Sequence, residues 1–91
     1  SFKADCKDDE QLLQQSVNEG NQSEARLLVH RLAGRVSQIG AKDLGMKFRV
    51  LEQNIANAEL IDTAIEVEIS ANLEELNGLI HKVDLYIDSL T

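Results

Sequence analysis

Between Asp62 and the C-terminus, Ile65, Ile69, Leu73, Leu76, Ile80, Val83, Ile87 and Leu90 recur three or four residues apart, uninterrupted by any proline or turn cluster. A strand alternates with a period of two and is short, so apolar spacing sustained over about 28 residues specifies a helix. Ile65, Val67 and Ile69 alternate with Glu66 and Glu68 as a strand would, but the helical register runs straight through them. A helix this long with one apolar stripe cannot bury that stripe against itself. The rest of the chain must supply partners.

Three further stretches do so. Leu12, Leu13, Ser16 and Val17 lie in a weakly periodic segment from about Asp8 to Glu19 that stops at Gly20-Asn21. Asn21 or Ser23 can cap the next segment, in which Ala25, Leu28, Val29, Leu32, Val36 and Ile39 keep helical spacing up to Gly40. A third begins near Ala41, aligns Leu44, Phe48, Leu51 and Ile55, with Met46 and Val50 beside them, and ends around Asn57. Gly40 serves as the turn residue, since glycine enters left-handed backbone geometry without a side-chain penalty. Asp62 caps the last helix. Connections of a few residues make sequential helices antiparallel neighbours, and 91 residues suffice for one hydrophobic core. The expectation is an all-α protein, a single domain over residues 1–91, folded as an antiparallel up-down four-helix bundle. Leu32, Val36, Ile39, Phe48, Leu51, Ile69, Leu76, Ile80 and Val83 are expected in its core, which is aliphatic because only 3% of residues are aromatic.

No apolar run is long enough to span a bilayer and no signal-peptide pattern is present. A lone cysteine, Cys6, closes no intrachain disulfide, so a reducing, cytoplasmic setting is expected. The net charge of −7 argues against nucleic acid or an anionic membrane surface as the main partner. That charge is unevenly placed: residues 1–25 carry −4, residues 26–49 carry +5 and residues 50–91 carry −8. The basic segment is either a solvated face balancing acidic neighbours or part of a site.

Two histidines fall on helices. His81 shares its face with Asn77, Asp84 and Asp88, opposite the apolar stripe, and reads as a surface residue. His30 shares a face with Arg26 four residues before it and Gly34 four after it, with Arg31 adjacent and Ala33 and Ser37 on its C-terminal side. A mid-helix glycine costs about 1 kcal/mol relative to alanine, and its compensation is close approach of something to the backbone. A neutral imidazole is a nucleophile, and guanidinium groups beside it can stabilise a phosphoryl group. Cysteine and histidine spacings give no metal motif, the glycines form no phosphate loop, and no serine–carboxylate arrangement suggests acyl transfer.

The run His30-Arg-Leu-Ala-Gly34-Arg-Val-Ser-Gln-Ile-Gly40-Ala41, followed by Leu44, Phe48, Leu51 and Glu52, resembles the signature of histidine-containing phosphotransfer (HPt) domains. The likeness covers most of the chain. It implies a four-helix bundle without ATPase activity that passes a phosphoryl group between receiver-domain aspartates. His30 would be the phospho-accepting residue, Gly34 the small residue that keeps it accessible, and Gly40 the turn. Leu27, Ala33 and Ser37 would belong to the docking surface. The family commonly has lysine where this chain has Ala33, which leaves Arg26 and Arg31 to support the phosphoryl group. Arg35 lies on roughly the opposite side of the helix. Gln38 is expected to be peripheral, and Glu52 to serve helix polarity or a neighbouring hydrogen bond. The resemblance further implies no intrinsic cofactor, Mg²⁺ on the partner receiver, and two partners, the receiver of a hybrid kinase and that of a response regulator. It also implies a monomeric cytoplasmic segment, with neither nucleic acid nor direct membrane contact, at the C-terminus of a bacterial sensor kinase anchored in the inner membrane. The alternative is a helical docking module without phosphoryl chemistry, for which Ala33 is the argument.

Overall fold

Two glycines set where the first two helices stop. The computed structural model describes Ser1–Leu90, and Gly20 (φ 69°) and Gly40 (φ 89°) are the described residues with positive φ. At each, the chain reverses through the same pair of backbone bonds. Asn21 N donates to Ser16 O at 2.8 Å and Gly20 N to Val17 O, while Ala41 N donates to Val36 O at 3.0 Å and Gly40 N to Ser37 O. These bonds satisfy carbonyls that the helix ends would otherwise leave open.

The elements are α1 (Phe2–Asn18), α2 (Gln22–Gln38), α3 (Lys42–Asn57) and α4 (Thr63–Leu90). Asn21 caps α2 by accepting from Glu24 N, and Asp62 caps α4 by accepting from Ile65 N at 2.9 Å. Helix α1 begins six residues earlier than the apolar pattern suggests. Ser1 caps it, accepting from Ala4 N. Its buried stripe is Cys6, Asp9, Leu13 and Ser16, in which two of four positions are polar. Those polar groups are satisfied: Ser16 Oγ donates to Leu12 O, and Asp9 accepts from two arginines of α2.

Among the described residues the backbones neighbour one another in the order α1–α2–α3–α4 and back to α1, and side chains of all four helices meet in one core. Phe48, Leu28, Leu32, Leu51, Ile55 and Leu76 fill the centre with no exposed surface. At roughly 1.5–3 kcal/mol for each large apolar side chain, that burial is the main force holding the helices together. Two expected core residues lie elsewhere. Ile39 is 44% exposed because it is the C-cap of α2, where the chain turns off the helix. Val83 is only partly buried, because α4 outruns its neighbours. Its 28 residues give about 42 Å of helix, close to the long dimension of the 48 × 22 × 18 Å molecule. Leu85, Tyr86, Ile87 and Leu90 are exposed on the overhang. No helix among the described residues is long and apolar enough to cross a membrane.

Candidate functional site

The basic segment divides once its side chains are placed. Arg31 and Arg35, one turn apart on α2, both reach across to Asp9 of α1, and Arg35 also lies 3.5 Å from Asp5. Asp9 is 1% exposed. Its hydrogen bond, followed by the charges of Asp9 and Asp5, raises the Arg35 guanidinium pKa above its ordinary value against the opposing effect of burial. Lys47 pairs with Glu75 of α4 at 2.5 Å. For these three cations the solvated-face account is right: they balance acids on neighbouring helices. Arg26, Lys42 and Arg49 make no ion pair among the described residues.

His30 stands outside that network. Its side chain is 57% exposed, and Nδ1 lies 3.1 Å from both carboxylate oxygens of Glu52, a largely covered α3 side chain. A carboxylate offers only acceptors, so a neutral His30 places its proton on Nδ1 and donates it to Glu52. The lone pair is then on Nε2, on the other side of the ring. The same contact holds the imidazole plane, as a carboxylate behind a metal-bound histidine does. Such an arrangement can present Nε2 as a nucleophile. His81 is exposed on the outer face of α4, and Gln38 is exposed at the end of α2.

Four expected site residues are placed differently from one another. Leu27 is 49% exposed, one turn before His30, and Gly34 opens onto free space, since a Cβ added there would meet nothing within 4 Å. Ala33, expected on the docking surface, is completely buried. Ser37 is partly buried, with Oγ close to where a Cβ on Gly45 would sit. The correction for Ala33 has a local cause: α3 packs on α2 at Gly45, whose missing side chain lets it sit against Ala33 and Ser37. Arg31, expected beside the phosphoryl group, is committed to Asp9.

Sequence reasoning missed Gly45 as the close-approach glycine and assigned that role to Gly34. It also left the partner of Glu52 open. A signal for the latter exists: His30 lies ten residues before Gly40 and Glu52 twelve after it, so the two meet when the chain folds back at that turn. A cleft of about 580 Å³ lies at the α2–α3 turn, lined by Gly40, Lys42, Leu44, Gly78, Leu79 and Lys82, and does not include His30. No group of three or more metal-ligating side chains occurs among the described residues.

No protein-family model, curated protein or solved structure matches the chain.

Proposed function

We propose that this chain is a phosphocarrier of the HPt kind, an antiparallel up-down bundle in which His30 takes a phosphoryl group from a receiver-domain aspartate and passes it to a second receiver. The observation that carries the reading is the His30–Glu52 contact: an exposed imidazole whose Nδ1 is held by a carboxylate, with no hydrogen bond to Nε2 among the described residues. The order of interhelix pairs supports the antiparallel arrangement. Lys3 pairs with Asp84, Lys7 and Glu10 bond Asn77, Gln22 reaches Ile55 and Ala58, and Asn54 bonds Glu68. The sequence likeness around His30 supports the choice of chemistry.

In the transfer, the Nε2 lone pair attacks the phosphorus of the aspartyl phosphate. The N–P bond forms as the P–O bond to the aspartyl carboxyl group breaks, and its electron pair leaves with that carboxylate. Nδ1 keeps its proton, and the Glu52 charge offsets the positive charge developing on the ring. The return step is the reverse, onto another aspartate. Such a reaction needs positioning and charge neutralisation more than acid–base work, and Mg²⁺ belongs to the receiver. An exposed, convex histidine suits a macromolecular donor, because the partner supplies the enclosure. By the same resemblance the domain works in the cytoplasm, in a parent anchored in the inner membrane.

Incubation with receiver domains carrying labelled aspartyl phosphate tests the proposal. Acid-labile, base-stable label is expected on the chain and on His81→Gln, and none on His30→Gln. Label at equal stoichiometry on a folded His30→Gln protein overturns it.

A further inference from the structure

A phosphoryl group bonded to His30 Nε2 places about two negative charges on an exposed surface, and the cations available to meet them are few. Arg31 is adjacent in sequence but committed to Asp9, and Arg35 is held by Asp9 and Asp5. On α2 this leaves Arg26, one turn before His30, with no ion pair among the described residues. On α3, Lys42 at the helix start is unpaired among the described residues, and a further unpaired cation lies closer to Glu52. Arg49 is exposed and lies three residues before Glu52, so both occupy one face of α3. Two contacts bracket it. Gly45, one turn earlier on α3, sits against Ala33 and Ser37 of α2, while Glu52 meets His30. Arg49 therefore lies opposite the stretch of α2 between Ser37 and His30, where Gly34 leaves an open notch. An arginine side chain can extend across such a notch toward Nε2, and no acid holds it elsewhere among the described residues.

We infer that Arg49 of α3, together with Arg26 of α2, contacts the phosphoryl group on His30, and that Arg31 takes no part. The inference rests on the phosphocarrier reading. The two guanidinium groups approach from opposite helices and bracket the transferring oxygens, each donating charge-assisted hydrogen bonds that strengthen as charge gathers there. Arg49 thus places a phosphoryl-binding group on α3, outside the His30–Gly40 run.

Phosphoramidate is a suitable probe, because it needs no cognate receiver: its P–N bond breaks, ammonia leaves, and the phosphoryl group bonds to Nε2. Second-order rates would be measured by phosphorus NMR for the unmodified protein, Arg49→Gln, Arg49→Lys, Arg26→Gln, Arg31→Gln and the remote Lys82→Gln, with circular dichroism to normalise for folded protein. Arg49→Gln and Arg26→Gln are expected to slow phosphorylation about three- to tenfold, with Arg49→Lys recovering most of the loss. Arg31→Gln and Lys82→Gln should stay within about twofold of the unmodified protein, as a screened, non-contacting charge would. In the phosphorylated protein the Arg49 Nε–Hε resonance should shift, a response that a purely structural role would not give. An unchanged rate in folded Arg49→Gln, or an equal loss in Lys82→Gln, overturns the role of Arg49 and leaves the carrier reading standing. No phosphohistidine on the unmodified protein overturns both.

Discussion

The Nδ1 nitrogen of His30 lies 3.1 Å from each carboxylate oxygen of Glu52, joining an exposed side chain of α2 to a largely covered one of α3. Removing the carboxylate frees the ring to rotate and to exchange tautomers. Glu52→Ala is therefore expected to slow phosphorylation by phosphoramidate on the order of tenfold, the range seen when a histidine's supporting partner is lost. Glu52→Gln keeps an acceptor for Nδ1–H but not the charge, so it should fall between. Nitrogen chemical shifts of the ring provide the check: one dominant tautomer in the unmodified protein and a mixture in Glu52→Ala. Equal tautomer populations in both would remove Glu52 from the positioning role.

Gly34 and Gly45 respond oppositely to added bulk. A Cβ at Gly34 meets nothing within 4 Å, so Gly34→Ala should stabilise the protein by up to about 1 kcal/mol through helix propensity alone. A Cβ at Gly45 meets Ser37 Oγ, with Ala33 O and Ser37 Cβ at 3.5 Å. Gly45→Ala is tolerated only if the Ser37 hydroxyl rotates away, whereas the branched side chain of Gly45→Val forces the helices apart and should cost about 1–3 kcal/mol. Ser37→Ala should rescue Gly45→Ala and leave Gly45→Val impaired. Urea unfolding of the single and double variants measures all of these.

The helices were legible because their stripes are apolar and their stops are chemical. Gly20, Gly40 and Asp62 act where the sequence places them, and α4 runs to Leu90 as its spacing requires. The start of α1 was hidden for a physical reason: Asp9 occupies a core-facing position, and a buried carboxylate paired with arginines from another helix breaks the apolar pattern that reveals a helix. Ala33 was misplaced because periodicity gives a residue's angle around its own helix but not how closely a neighbour covers it. That closeness was set by Gly45. Charge composition identified a basic segment without showing that half of its cations are spoken for.

Burial pushes the Cys6 thiol from 9.0 up to about 11, against the opposing charge of Arg35. The folded state thus holds its proton after the unfolded state has released it. Between pH 9 and 11 the unfolded chain binds fewer protons, so stability on this account is fully present below pH 9 and declines as pH rises to about 11. The informative quantity is the difference between the unmodified protein and Cys6→Ala. The gap in unfolding free energy should narrow from pH 9 upward. Alkylation of Cys6 at pH 8 should be slow in the native protein and fast in urea.

Asp9 is the buried anchor of a charge cluster whose cations sit at the surface: Arg35 Nε donates to it at 2.7 Å and Arg31 bonds its other oxygen, their side chains being 32% and 43% exposed. Losing one partner of a fully buried pair typically costs about 3–5 kcal/mol, because the remaining charge has no solvation. Here the arginines can turn to water, so Asp9→Ala should cost less, about 1–3 kcal/mol. Arg35→Gln should destabilise more than Arg31→Gln, since Arg35 also approaches Asp5 and is the more covered of the two. Because the cluster ties α1 to α2 on a side that His30 does not face, the rate of His30 phosphorylation per folded molecule should be unaffected by any of these changes. Denaturant unfolding and phosphoramidate kinetics on the same samples separate the two effects. An Arg31→Gln protein of unchanged stability but sharply reduced phosphorylation would return Arg31 to the site and make its contact with Asp9 incidental.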